Sequence, residues 1–173
     1  MNGLYVEESN MRFGPFKEDE LILLEKCSVY QALSAGVAMA EFAITRPKNG
    51  KKGVFVVEAK SSSPKPDSIV DYDQFVKDIY TKFINAFYLI TAIVLKRHEC
   101  QADEVPSKLA SLKLAIADFR FILVINGHRD DWLHPIQDSL RSVLTPFQKM
   151  WKCNPDCIAV INDEMARAHK WIS

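Results

Sequence analysis

A glutamate and a lysine separated by one residue, Glu58 and Lys60, end an apolar segment at residues 54–60. Side chains two positions apart in a β-strand point to the same face, so this spacing predicts that the two are neighbours. A carboxylate can bind a divalent cation, and an ammonium beside it can stabilise charge on a phosphate. The triplet Glu-x-Lys is expected about once by chance in a chain of this length at average composition, so its meaning depends on what faces it.

The residues before this segment predict a β-hairpin. Residues 37–45 form a second predicted strand, and Asn49-Gly50 between the two strands is the strongest short signal for a two-residue turn. With that turn, the numbers of directly paired positions sum to 99, so Glu41 faces Glu58. Pro47 cannot donate to a strand ladder, which leaves a wider loop open, and a one-residue slip would separate the two glutamates.

Two carboxylates that face each other across a hairpin lie roughly 4.5–5.5 Å apart at Cβ and destabilise it. Mg²⁺ would offset their repulsion, because it binds one or two protein carboxylates and completes its shell with water and substrate phosphates. Lys60 could then polarise the attacking water or stabilise charge on the phosphoryl group. In the alternative, Glu41, Glu58 and Lys60 form a purely structural group, although burying one excess negative charge is costly.

The segment around the candidate site is rich in basic and hydroxyl side chains. Ser61, Ser62 and Ser63 follow Lys60 and could donate hydrogen bonds to phosphate oxygens. The alternatives are a solvated loop and a hairpin tip in which lysine is common. Six basic residues accompany one acid between positions 46 and 65, and this excess predicts phosphate contacts near the site: Arg46, Lys48, Lys51, Lys52, Lys60 and Lys65.

The hydrophobic periodicity predicts the elements that hold these residues. Strands are predicted at 20–26, 37–45, 53–60, 119–126 and 157–161, and helices at 28–35, 69–97, 107–117, 130–150 and 163–172. The last but one of these helices is expected to bend or break at Pro146. This order predicts an α/β fold with a mixed central β-sheet flanked by helices. Residues 1–19 are predicted to be loop or partly ordered, and residues 1–173 to form a single domain.

The composition argues against several classes of function. A net charge of zero, from 22 basic and 22 acidic residues, argues against a protein that coats nucleic acid generally. Residues 1–10 are polar, which predicts a cytoplasmic location, and the apolar stretch 83–95 is too short to span a membrane. The sequence has no Gly-rich phosphate loop or dinucleotide fingerprint, so no organic cofactor is expected. Cys153 and Cys157 resemble half a zinc site that nothing completes, so structural zinc is not expected either.

Glu41, the triplet Glu58-Ala59-Lys60 and the order of elements resemble the PD-(D/E)XK nuclease superfamily, the restriction-endonuclease-like fold, over about residues 20–126. In that family an acid on one central strand and an acid-x-Lys on the next bind Mg²⁺ and activate water for phosphodiester cleavage. The run Glu-Ala-Lys-Ser-Ser-Ser-Pro is also similar to that of small uncharacterised bacterial members. The first acid here is Glu rather than the usual Asp, and no Pro precedes it.

The resemblance implies a Mg²⁺- or Mn²⁺-dependent nuclease in which Glu41, Glu58 and Lys60 are catalytic and the two glutamates bind the metal. Glu25 matches an additional upstream acid that some branches carry as a further ligand. Gln74 matches a helix glutamine that contacts the site in some branches, although its spacing differs. The implied partner is nucleic acid, with DNA or RNA undetermined and homo-oligomerisation left open. The alternative is a binding or regulatory module that keeps the fold without turnover, because a fold does not fix a function.

Overall fold

A five-stranded mixed β-sheet lies at the centre of the computed structural model, which describes residues 3–33, 36–48, 50–100 and 104–172. The strands are β1 (Leu4–Glu8), β2 (Met11–Phe16), β3 (Leu21–Leu23), β4 (Phe42–Lys48), β5 (Lys51–Lys60), β6 (Asp118–Ile125) and β7 (Ile158–Asn162). The helices are α1 (Ser28–Gln31), α2 (Ile69–Val94), α3 (Ser107–Ala110), α4 (Asp130–Trp151) and α5 (Asp163–Ala168). Short 3-10 segments cover Leu24–Lys26, Leu114–Ile116 and Pro155–Cys157.

The strand order of the central sheet is β3-β4-β5-β6-β7. β3, β4 and β5 form an antiparallel meander, whereas β5, β6 and β7 are parallel. The parallel pairs need long crossovers, and α2 and α4 supply them. The predicted mixed central sheet flanked by helices is therefore confirmed.

The β4-β5 hairpin has the predicted register. Thr45 pairs with Val54 and Phe42 with Val57, so the numbers of paired positions sum to 99. Asn49 lies outside the described residues, and Gly50 has a φ of +75° that suits a glycine in a tight turn. The backbone N–H of Thr45 points towards β3 and donates to Glu20 O. The backbone nitrogen of Pro47, two residues on, points the same way, but β3 does not extend far enough to face it. Its missing N–H therefore costs the sheet no hydrogen bond.

One face of the sheet is covered by α2 and α4. Their buried residues recur at helical spacing and pack with the inward residues of β5 and β6 into one core, including Ile79, Phe83, Ile90, Leu140 and Leu144. The predicted break at Pro146 does not occur, because α4 continues to Trp151 and Pro146 lies on its exposed side.

The other face of the sheet is covered by the β1-β2 hairpin, which corrects the prediction of a loop at residues 1–19. Ser9 and Asn10 both have positive φ and form its tight turn. Phe13 and Phe16 are buried against Phe42, with the rings of Phe13 and Phe42 5.3 Å apart. Charged residues on the exposed side of this short hairpin masked the alternation of apolar positions in the sequence.

Several predicted boundaries also change. The first strand ends at Leu23, because the chain turns there into Leu24–Lys26, and β4 begins at Phe42 rather than at residue 37. Positive φ at Lys96 and Lys170 accompanies the early ends of α2 and α5. The predicted helix 107–117 is split into α3 and a 3-10 segment by Lys113, whose backbone is extended. α1 ends at Gln31, earlier than predicted.

Among the described residues, no helix is long and apolar enough to cross a membrane.

Candidate metal and active site

Glu41 and Glu58 meet at the end of the β4-β5 hairpin that is remote from its turn. Glu41 directly precedes β4, and its backbone is held on both sides: its N–H donates to Val57 O at 3.1 Å, and its carbonyl accepts from Leu24 N at 3.3 Å. Glu58 and Lys60 are the last two same-face residues of β5. The ladder ends at the pair Phe42 and Val57, one residue before the predicted pairing of Glu41 with Glu58, and the two carboxylates share one lysine, Lys82, as a neighbour.

Glu58 is fully buried, with 0% of its side chain exposed. Its Oε1 atom forms ion pairs with two ammonium groups, Lys60 Nζ at 2.9 Å and Lys82 Nζ at 2.7 Å, and accepts a hydrogen bond from Lys82. Its Oε2 atom is also buried and has no hydrogen-bond partner among the described residues. A buried carboxylate oxygen without a partner is costly, so this atom marks a position where a ligand would be stabilising.

Lys82 is a member of the site that the sequence prediction missed. It lies on α2, and its Nζ atom is 3.7 Å from Glu41 Oε1 as well as 2.7 Å from Glu58 Oε1. The sequence signal was a lysine in a row of buried apolar residues, since Ile79 and Ala86 are its neighbours three and four positions away on the same face of α2. We call Glu41, Glu58, Lys60 and Lys82 the Glu–Lys cluster.

The surroundings shift the pKa values of two members of the Glu–Lys cluster. Burial and then the nearby charge of Glu58 raise the pKa of Glu41 from its ordinary 4.5 to about 7, although Lys82 acts in the opposite direction. Burial acts to lower the pKa of Lys82, but the hydrogen bond and charge of Glu58 outweigh it, so the pKa is raised. The site therefore disfavours two charged carboxylates and favours a charged lysine between them.

The donor set fits a hard divalent cation with few protein ligands. Mg²⁺ is commonly held by one or two carboxylates with water and substrate completing its shell, and Glu41, Glu58 and the unpartnered Oε2 atom match that pattern. Within the described ranges, no group of three or more His, Cys, Asp or Glu residues is placed to hold a metal. Glu25 is exposed on the 3-10 segment Leu24–Lys26, where its charge raises the pKa of Glu41 without joining such a group.

The predicted substrate-contacting residues are exposed on the loop after β5 and on α2. Ser61, Ser62 and Lys65 are exposed in the loop after β5. Ser63 is hydrogen-bonded to His128 Nε2 at 2.9 Å, and Gln74 donates to Asp78 on α2 at 2.7 Å. The loop serines and Lys65 are thus accessible from solvent close in sequence to Lys60.

The basic excess of the sequence is not gathered at the site, which corrects that prediction. Lys51 and Lys52 begin β5 and Lys60 ends it, and a strand of 10 residues is roughly 30 Å long. Lys52 donates to Ser111, and Arg46 pairs with Glu20 at 2.9 Å. Basic residues that are close in sequence are therefore far apart, because the two ends of β5 lie at opposite ends of the sheet.

No family model matches the chain, and no curated protein matches it. Among solved structures the chain is similar to the restriction endonuclease FokI, with 15% sequence identity and a TM-score of 0.38. The alignment covers 79% of this chain and 21% of that one, so the chain spans about a fifth of the length of FokI. A likeness of this size says nothing about the residues of the site.

Proposed function

We propose that this chain is a Mg²⁺- or Mn²⁺-dependent phosphodiesterase that acts on nucleic acid, with Glu41 and Glu58 as metal ligands. The observation that carries the proposal is the state of Glu58: a wholly buried carboxylate with one oxygen bound by two lysines and the other without a partner in the part of the chain that the structure describes. A second, mostly buried carboxylate lies beside it. The resemblance of the Glu58-Ala59-Lys60 motif to PD-(D/E)XK nucleases gives the reaction class.

Burial energetics support a ligand at this position. Leaving a buried acceptor unpaired costs about 1–3 kcal/mol, and more when the group is charged. At the end of a well-packed strand, a buried carboxylate with this cost is expected only where function requires it. A divalent cation would bind Glu58 Oε2 and would also remove the repulsion between the two carboxylates.

Each protein group has a role in the proposed reaction. A bound Mg²⁺ would lower the pKa of a water molecule and offset charge on the scissile phosphate. Lys60, whose side chain is 33% exposed, can reach a substrate oxygen while it remains close to Glu58. Its ammonium would stabilise the negative charge that develops on the phosphoryl group. Ser61, Ser62 and Lys65 follow on the exposed loop and would contact the substrate backbone.

One observation favours the alternative of a binding module without turnover. The sequence alone gave two glutamates and one lysine, whereas Lys82 makes the Glu–Lys cluster formally neutral with two of each. A neutral cluster needs no metal to balance its charge. A neutral cluster does not explain why Glu58 Oε2 lacks a partner among the described residues. For that reason we prefer the enzyme to the binding module.

The test is cleavage of labelled single- and double-stranded DNA and RNA with Mg²⁺ or Mn²⁺. Lys60→Ala should reduce the rate by about 100-fold or more, because it removes a charge stabiliser from the reacting phosphate. Lys52→Ala removes the same charge from the other, exposed end of β5 and should leave the rate unchanged. Cleavage that persists in Lys60→Ala, or after the divalent cation is chelated, would contradict the mechanism.

A further inference from the structure

Lys82 differs from Lys60 in touching both carboxylates of the proposed metal site. Its Nζ atom is 2.7 Å from Glu58 Oε1 and 3.7 Å from Glu41 Oε1, and its side chain is 19% exposed. Lys60 forms an ion pair with Glu58 and is more exposed. A single ammonium thus stands between the two groups that would share a metal ion.

We infer that Lys82 is an internal counter-cation, which holds Glu41 and Glu58 together in the metal-free protein and competes with a divalent cation for them. The inference rests on the proposed function, because it takes the same carboxylates as metal ligands. It adds a positioning residue from α2 to a site otherwise built from the β4-β5 hairpin. It also predicts that Lys82 lowers the affinity of the site for a divalent cation.

Electrostatics give Lys82 this role. Two neighbouring carboxylates repel each other, and a cation between them reduces the repulsion. In the metal-free protein the ammonium of Lys82 does this at hydrogen-bonding distance from Glu58. A divalent cation held by Glu58 Oε2 and Glu41 would lie beside this ammonium, so the two cations would repel each other there.

The side chain of Lys82 can move away from the carboxylates without a change of fold, because other residues hold α2 in place. Ile79, Phe83 and Ala86 have 0% exposure and fix the helix against the sheet on either side of Lys82. The lysine side chain has a flexible four-carbon stem, so its ammonium can move while the helix stays in place. Exchange of Lys82 for a metal therefore requires a side-chain movement alone.

The test is the affinity of the chain of residues 1–173 for Mn²⁺, measured by isothermal titration calorimetry without nucleic acid. Lys82→Met keeps the apolar length and removes the charge, so it should bind Mn²⁺ about tenfold more tightly or better. Lys82→Arg keeps the charge and should show no gain. Lys77→Met removes an exposed charge from the same helix and should change the affinity by less than about twofold, because solvent and salt screen it.

The outcomes separate this inference from the proposed function. Binding by the unaltered chain that Glu58→Gln abolishes, without a gain in Lys82→Met, overturns the inference alone. Equal gains in Lys82→Met and Lys77→Met overturn it as well, since the effect would then be one of general charge. No Mn²⁺ binding by any variant overturns both.

A second variant covers the case in which Lys82→Met does not fold without metal. Lys82→Gln keeps a hydrogen-bond donor for Glu58 and should show the same gain in affinity. If both variants are unfolded by circular dichroism, titration with Mn²⁺ should refold them, because the cation binds the folded state and shifts the equilibrium towards it. Failure to refold at millimolar Mn²⁺ would overturn the inference.

Discussion

Glu41 is the group in the Glu–Lys cluster whose charge changes near neutral pH. Its pKa rises from an ordinary 4.5 to about 7, first because of burial and then because of the charge of Glu58. Between these two pH values the folded protein binds more protons than the unfolded chain does. The contribution of Glu41 to the free energy of unfolding therefore decreases as the pH rises from about 4.5 to about 7.

The substitution Glu41→Gln should remove this pH dependence, because the amide does not titrate. Relative to the unaltered chain, the variant should gain about 2–3 kcal/mol of stability between pH 4.5 and pH 8, at about 1.4 kcal/mol per unit of pKa shift. Urea unfolding across that pH range, without divalent cations, measures the difference. Glu164→Gln, an exposed acid on α5, should run parallel to the unaltered chain. If Glu41→Gln runs parallel too, the raised pKa is wrong.

The register of one element, the β4-β5 hairpin, could be predicted because its turn is local. Asn49-Gly50 lies between two strands whose pairing then follows by counting, and the pair Thr45 and Val54 confirms the result. Glu58 and Lys60 were brought to one face by strand periodicity alone. These features depend on residues close in sequence.

Lys82 could not be placed by such means, because the rotation of α2 against the sheet is a property of tertiary packing. The sequence did carry a trace of it: a charged residue in a buried row must have a partner. The partner itself, 24 residues earlier, is set by how α2 returns across β5. The prediction that basic residues gather at the site was wrong for a related reason, because counting charges along the sequence ignores the length of β5.

The β1-β2 hairpin supplies a second prediction at the scale of the element. Phe13 has 0% exposure and packs edge-on against Phe42, the residue after Glu41. Phe13→Ala should lower the free energy of unfolding by about 3–5 kcal/mol through lost burial and the cavity left behind. Glu7→Ala, whose side chain is 80% exposed in the same hairpin, should change it by less than about 0.5 kcal/mol. Urea unfolding with circular dichroism measures both, and a mild effect of Phe13→Ala would mean that the hairpin is not part of the core.

On the scale of the whole molecule, the central sheet belongs to two cores at once. Val54 and Val56 of β5 face the core under α2 and α4, whereas Phe55 and Val57 face the core under the β1-β2 hairpin. The ends of the chain are tied to each other as well, because Gly14 N donates to Trp171 O at 2.9 Å. Neither core can lose its packing without exposing a face of the same strands.

The shared sheet predicts that residues 1–173 unfold in one cooperative transition. Trp151 packs beside Phe87 in the helix-side core, and Trp171 beside Phe55 in the hairpin-side core, so each can report on one face. In each variant that retains one of these tryptophans, with the others replaced by Phe, the fluorescence transition should share its midpoint with the transition measured by circular dichroism. Leu140→Ala, which opens a cavity in the helix-side core at a cost of about 2–5 kcal/mol, should shift both reporters equally. A shift of the Trp151 signal alone would mean that the two cores unfold separately, and the single-domain prediction would be wrong.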